Sequence, residues 1–159
     1  MSGKGVIKGM KISELLKPSL IKISLQSDNK EDLFPELVQL FVSEGMIKDR
    51  NMAIEVLEKR EAKMSTGISN GLGLPHGRLP EAQKTLLALG LSEEGIEYDS
   101  LDGEPVYVVI CIFAEPENPG HHVRVLAEIS RLFSIPGFMG RLRRAQSPQE
   151  VLDVIRSEE

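Results

Sequence analysis

The run Val106-Tyr-Val-Val-Ile-Cys-Ile-Phe113 limits what this chain can fold into more than any other stretch. It is continuously apolar and rich in β-branched residues, so it reads as a strand. A strand without polar alternation has no face left for water, and its sheet needs cover on both sides. The chain supplies that cover. Apolar residues recur at helical spacing at Leu33, Leu37, Leu40 and Phe41, at Met52, Val56 and Leu57, and at Val125, Leu126, Ile129 and Leu132. Asp102-Gly103, just ahead of the run, is a turn signal that implies an antiparallel neighbour. The expected class is α/β, with a mixed sheet and helices on both faces.

Local signals place the other elements. Ile12–Leu16 suits a turn or two of helix stopped by Pro18, and Leu20–Leu25 alternates like a strand. Ser27 or Asp28 can cap a helix running to Glu44, and Pro35 inside it predicts a kink or a later start. Asp49 caps a second helix, to Lys63, with Met52, Val56 and Leu57 inward. Leu72–Pro75, Lys84–Leu91 and a short Ile96–Tyr98 read as strands. A helix follows over His121–Phe133, then a short one over Gly137–Arg144. Ser147 with Glu150 forms a capping box for the last helix, with Pro148 at its first position. Residues 10–159 form one domain, the default at this length. Residues 1–9 lack periodicity and read as a frayed end or an added leader, with the natural start at Met10.

The 159 residues carry a net charge of −5, which argues against nucleic-acid binding by a broad basic face. Arg141, Arg143 and Arg144 are a local exception and read as a solvated helix face. There is no apolar run of transmembrane length and no secretory signal. The single cysteine, Cys111, excludes an internal disulfide, fits a reducing cytosol and is expected in the core.

The stretch Ser65-Thr-Gly-Ile-Ser-Asn-Gly-Leu-Gly-Leu-Pro-His-Gly-Arg78 is different in kind. Its glycines let other groups approach the backbone closely. Pro75 restrains the residue before His76, and Gly77 frees the one after. Such a loop adds little apolar burial, so His76 is either a loop residue without a role or an imidazole held for chemistry. A metal centre would need ligand spacing that His121, His122, Glu115 and Glu117 do not provide. Gly67-Ile-Ser-Asn-Gly71 matches the letters of a nucleophile elbow, but the strand and helix that motif requires are not expected around it. Neutral imidazole is itself a nucleophile near pH 7. A phosphoryl group on it would need cations and N–H donors, which Arg60 and the glycine-rich backbone can supply.

Three pieces carry a resemblance: Arg60-Glu61, the segment Ser65-Thr-Gly-Ile-x-Asn-Gly-x-x-Leu-Pro-His-Gly77, and His122-Val-x-x-Leu-Ala127. Together they resemble the enzyme IIA component of the bacterial phosphoenolpyruvate-dependent phosphotransferase system, of the fructose, mannitol and nitrogen-regulatory type. The likeness spans Met10 to Ile155. It implies a cytosolic phosphotransferase that works through a phosphohistidine, on a mixed five-stranded sheet flanked by helices. His76 would accept the phosphoryl group from HPr or its nitrogen-branch counterpart, then pass it to a IIB domain or keep it as a regulatory mark. Arg60 would approach the phosphoryl oxygens and His122 would hydrogen-bond near the ring. Ser65, Thr66 and Gly67 would be supporting donors. No cofactor stays bound. The family's usual glycine is Ser69 here and its usual alanine is Gly73. The free-standing form and Leu142-Arg-Arg-Ala-Gln-Ser147 lean toward the nitrogen-regulatory kind, with the sugar-specific carrier and a phosphorylation-controlled binding module as alternatives.

Overall fold

The computed structural model describes residues 10–159; the reading of residues 1–9 as a leader lies outside the described residues. Two 3-10 turns, Ile12–Glu14 and Pro18–Leu20, open the fold. Then come β1 (Ile21–Lys22), α1 (Lys30–Ser43), α2 (Arg50–Lys63), β2 (Leu72–Gly73), β3 (His76–Arg78), β4 (Leu86–Ile96), β5 (Val106–Ala114), α3 (Pro119–Phe133), α4 (Phe138–Arg143) and α5 (Pro148–Arg156).

The apolar run is the centre of the sheet. Every residue of β5 but Tyr107 is buried. β5 lies antiparallel to β4, and β4 lies parallel to β1. Along its other edge β5 takes β2 at Val108 and Val109, then β3 at Ile112 to Ala114, both parallel. The sheet is therefore mixed and five-stranded, ordered β1-β4-β5-β2 with β3 also on β5. α1 packs on α2 and on β4, while α3, α4 and α5 form a second group against β5 and β1. Phe41 of α1 meets Phe113 edge to face, with ring centroids 5.5 Å apart.

Several boundaries differ from the sequence reading. Only Ile21–Lys22 of the expected Leu20–Leu25 strand pairs as a strand, since Leu20 closes a 3-10 turn. Asn29, not Ser27 or Asp28, caps α1 by accepting from the Asp32 N–H. Ser27 is engaged elsewhere: its N–H and hydroxyl donate to Glu36 at 3.0 and 2.6 Å. α1 starts at Lys30 and still contains Pro35, so the start late enough to exclude that proline is not found. α2 has the expected cap, Asp49, and the expected end, Lys63. Met52 does not point inward, because Ala53 and Leu57, four apart on one side of the helix, take the core positions. The two strands expected at Lys84–Leu91 and Ile96–Tyr98 are one, β4, with a register shift between Leu91 and Ile96. Ser147 caps α5 by accepting from the Glu150 N–H, but Glu150 reaches back to the N–H of Gln146 rather than that of Ser147. Cys111 is buried, as expected.

Candidate functional site

The glycine-rich stretch is a compact hairpin rather than an open loop. The Ile68 N–H donates to the Leu72 carbonyl at 3.0 Å, the Leu74 N–H donates to that of Thr66 at 2.9 Å, and Gly67 bridges Gly73. Asn70 and Gly71 turn the hairpin with φ of 55° and 87°, the left-handed pair of a two-residue turn. Two other glycines serve close packing. A methyl on Gly67 would stand 2.7 Å from the Tyr98 ring, and one on Gly77 would collide with the Val56 side chain of α2.

The hairpin delivers the chain to β3, which opens on His76. His76 pairs in register with Ile112. Its Nδ1 lies 2.7 Å from the Leu74 carbonyl. A carbonyl only accepts, so Nδ1 carries the proton and the lone pair sits on Nε2. Burial lowers the His76 pKa; the Leu74 hydrogen bond raises it, Arg60 lowers it and Glu61 raises it, with a net fall below the ordinary value. His76 is therefore neutral at pH 7.

His122, near the start of α3, brings its ring to 5.3 Å from that of His76, centroid to centroid. Its pKa is also lowered, by burial first and then by His76 and Arg78. Its Nε2 is buried without a hydrogen-bond partner among the described residues. Arg78 is the residue the sequence reading missed. It stands two positions after His76 on β3, so both side chains leave the same face of the strand, and the Arg78 charge is felt at His122. That alternation, together with its positive charge, was the available signal.

Arg60, in the last turns of α2, donates through Nη1 to the Met64 carbonyl at 2.8 Å, and its charge is felt at His76. His76 and His122 thus stand ring to ring, with the charge of Arg60 felt at His76 and that of Arg78 at His122. The remaining expected donors are engaged within the hairpin or with the end of α2. The Thr66 N–H and hydroxyl donate to Glu61 at 2.9 and 2.6 Å, and the Gly67 N–H donates to Ser65 Oγ at 3.1 Å. His121 turns aside. Its Nδ1 is 2.8 Å from Thr85 Oγ1 and 3.5 Å from Glu115 Oε1, which ties the start of α3 to the start of β4.

The arginine cluster lies elsewhere. Arg141 pairs with Glu158 at 2.7 Å, and Arg143 stacks on the Tyr107 ring at 3.8 Å. A cleft of about 480 Å³ lined by Arg143 and Arg144 contains none of the four site residues.

With this geometry in view, the comparisons decide the family. Residues 14–158 match the family model of the phosphoenolpyruvate-dependent sugar phosphotransferase system, EIIA 2. The chain belongs to this family. It is 33% identical over 92% of its length to the fructose-specific EIIABC component of Bacillus subtilis, spanning 23% of that longer protein. It is 30% identical to the fructose-specific EIIA component of Haloferax volcanii, covering 91% of this chain and 94% of that one. It is also 30% identical to the nitrogen regulatory protein of Bradyrhizobium diazoefficiens, covering 92% and 95% of the two chains. The crystal structure of nitrogen regulatory protein IIA-Ntr from Neisseria meningitidis superposes with a TM-score of 0.84 at 28% identity, over 91% of this chain and 98% of that one. EIIA proteins are phosphoryl-transfer carriers, and both nitrogen-regulatory and sugar-specific members stand among this chain's relatives. Among the described residues no helix is long and apolar enough to cross a membrane.

Proposed function

We propose that the chain is a cytosolic histidine phosphocarrier, accepting a phosphoryl group on Nε2 of His76 from HPr or its nitrogen-branch counterpart. The observation that carries this reading is the 2.7 Å hydrogen bond from His76 Nδ1 to the Leu74 carbonyl. It leaves one ring nitrogen with a free lone pair, on a histidine kept neutral by burial.

In the transfer step the Nε2 lone pair forms the new N–P bond, and the donor's leaving atom takes back the electron pair of the bond that breaks. The His76 ring gains positive charge as this happens. The Leu74 carbonyl, holding the Nδ1 proton, stabilises that charge and keeps the proton off the nucleophile. Arg60 and Arg78 supply cationic donors for the phosphoryl oxygens, and arginine suits them because its fork can bond two oxygens at once. The unpartnered Nε2 of His122 gains a partner if it donates its proton to a phosphoryl oxygen. An unmet buried polar group costs roughly 1–3 kcal/mol, so loading the site relieves that cost. Ser65, Thr66 and Gly67 support the site by holding the hairpin, since the hydrogen bonds among them and to Glu61 occupy their nearest donors.

A protein donor fits the surface. Met64, Ile68 and Val123 are exposed large apolar side chains on the segments that carry the site, and Leu101 is exposed on a loop where its N–H donates to the Gly67 carbonyl. Incubation with phosphoenolpyruvate, enzyme I and HPr is expected to add one acid-labile phosphoryl group, and His76→Ala is expected to take none. Equal labelling of the two proteins rejects His76 as the acceptor.

Nitrogen-regulatory relatives at 30% and 28% identity favour retention of the phosphoryl group as a signal that selects regulatory partners. Fructose-specific relatives support a second reading, onward transfer to the cysteine of a IIB domain. Labelled protein mixed with candidate IIB domains separates the two: transfer favours the sugar role, and retention against all of them favours the regulatory one.

A further inference from the structure

Glu61 directly follows Arg60 on α2, but its carboxylate turns inward and is 7% exposed. A buried carboxylate needs donors on its oxygens. Here Oε2 accepts from the Thr66 N–H at 2.9 Å and from Lys30 Nζ at 3.1 Å, and Oε1 accepts from the Thr66 hydroxyl at 2.6 Å. An ionised carboxylate only accepts, so the Thr66 hydroxyl must give its hydrogen to Glu61. The 2.7 Å contact between Thr66 Oγ1 and the Tyr98 hydroxyl therefore runs from the phenol to the threonine. The Tyr98 ring is fully buried, and burial pushes its pKa upward, so the phenol keeps its proton to donate.

The same threonine leads to the imidazole. The Leu74 N–H donates to the Thr66 carbonyl at 2.9 Å, and His76 Nδ1 donates to the Leu74 carbonyl at 2.7 Å. Hydrogen bonds thus run from Glu61 through Thr66 and Leu74 to His76, while Arg60 is Glu61's neighbour in the chain. Lys30, at the start of α1, pins the junction from a third element.

We propose that Glu61 is a positioning residue for phosphoryl acceptance at His76: its clasp on Thr66, completed by Tyr98 and Lys30, sets the Arg60 guanidinium relative to the His76 ring. The proposal rests on the phosphocarrier reading above. Loosening the clasp lets the end of α2 and the hairpin move apart, and a displacement of about 1 Å at a reacting centre can cost on the order of a hundredfold in rate. A purely structural role for Glu61 would lower stability and leave the labelling rate of the folded protein unchanged.

The test uses the full chain with phosphoenolpyruvate, enzyme I and HPr, and the near-isosteric variants Glu61→Gln, Thr66→Val and Tyr98→Phe, with thermal unfolding to confirm that each is folded. The initial rate of labelling is expected to fall about tenfold or more in Glu61→Gln and Thr66→Val. The Glu61→Gln, Thr66→Val double variant is expected to be little worse than either single, because both break one link. Tyr98→Phe keeps the ring and removes one donor, so it falls less. Thr66→Ser keeps both donors to Glu61 and is expected to recover most of the rate lost in Thr66→Val. NMR titration is expected to show His76 protonating at lower pH in Glu61→Gln, because a negative charge that raises its pKa is gone. Folded single variants that label at the parental rate overturn the proposal, as does a double variant whose two losses multiply. An unlabelled parent chain removes the phosphocarrier reading and this proposal together, whereas a labelled parent with indifferent variants removes Glu61 alone.

Discussion

At the scale of single residues, the site depends on how protons are placed on two histidines. Burial, the largest influence on each, favours the neutral ring, and each has its pKa lowered from the ordinary 6.5. For the acceptor the consequence has a definite sign. The nucleophile is the neutral form, so phosphoryl acceptance is expected to be complete at pH 7, to stay high at pH 6.5, and to fall only through a lower folded pKa. A pH–rate profile for labelling checks this; a midpoint at or above 6.5 contradicts it. The same depression carries a stability term, present above the unfolded pKa and lost as pH falls through the folded one. His122→Ala is expected to leave a folded protein that still accepts the group at a lower rate, by roughly 10²–10³-fold if it donates to the developing charge. Single-turnover labelling measures that loss, and an unchanged rate rejects the role.

At the scale of elements, the site is the meeting of α2, the hairpin, β3 and α3, and Gly77 is where the first and third touch. A methyl there collides with Val56, so Gly77→Ala is expected to destabilise the protein by about 1–3 kcal/mol, the usual cost of overpacking. Denaturant unfolding checks it; a stability change within about 0.5 kcal/mol contradicts the packing account. This contact also shows what the sequence could and could not reveal. The strand at Val106–Ala114 and the helix from Asp49 to Lys63 were legible because a continuous apolar run and a capping aspartate each point one way. Asn70-Gly71 was equally legible as a two-residue hairpin turn, but the glycine density invited a reading of ligand approach instead. The true partners of Gly67 and Gly77 are Tyr98 and Val56, and no local pattern announces a contact with a ring 31 positions away. The role of Thr66 was hidden for the same reason: its hydroxyl looks available until Glu61 and Tyr98 are seen beside it.

At the scale of the molecule, one sheet with helices on both faces holds a site built from distant parts of the chain in register. Its stability includes a polar anchor far from the chemistry. Glu36 of α1 accepts from Lys22, from the Ser27 hydroxyl and from the N–H groups of Gln26 and Ser27. Burial raises its pKa, but these hydrogen bonds together outweigh burial and hold it below the ordinary 4.5. A lowered carboxyl pKa stabilises the fold above its unfolded value and loses that contribution as pH falls through the folded one. Glu36→Gln is therefore expected to cost roughly 1–3 kcal/mol at pH 7, with the difference from the parent shrinking below pH 4.5. Unfolding curves at several pH values measure it, and a pH-independent difference contradicts the assignment.

The central claim is that the fold fixes which nitrogen of His76 is nucleophilic, and phosphorus–nitrogen NMR on the phosphorylated, nitrogen-15-labelled protein tests it most directly. The account predicts one phosphoryl group on His76, coupled to Nε2, with Nδ1 still protonated on the Leu74 carbonyl. A phosphoryl group on Nδ1, or on any other residue, would contradict it.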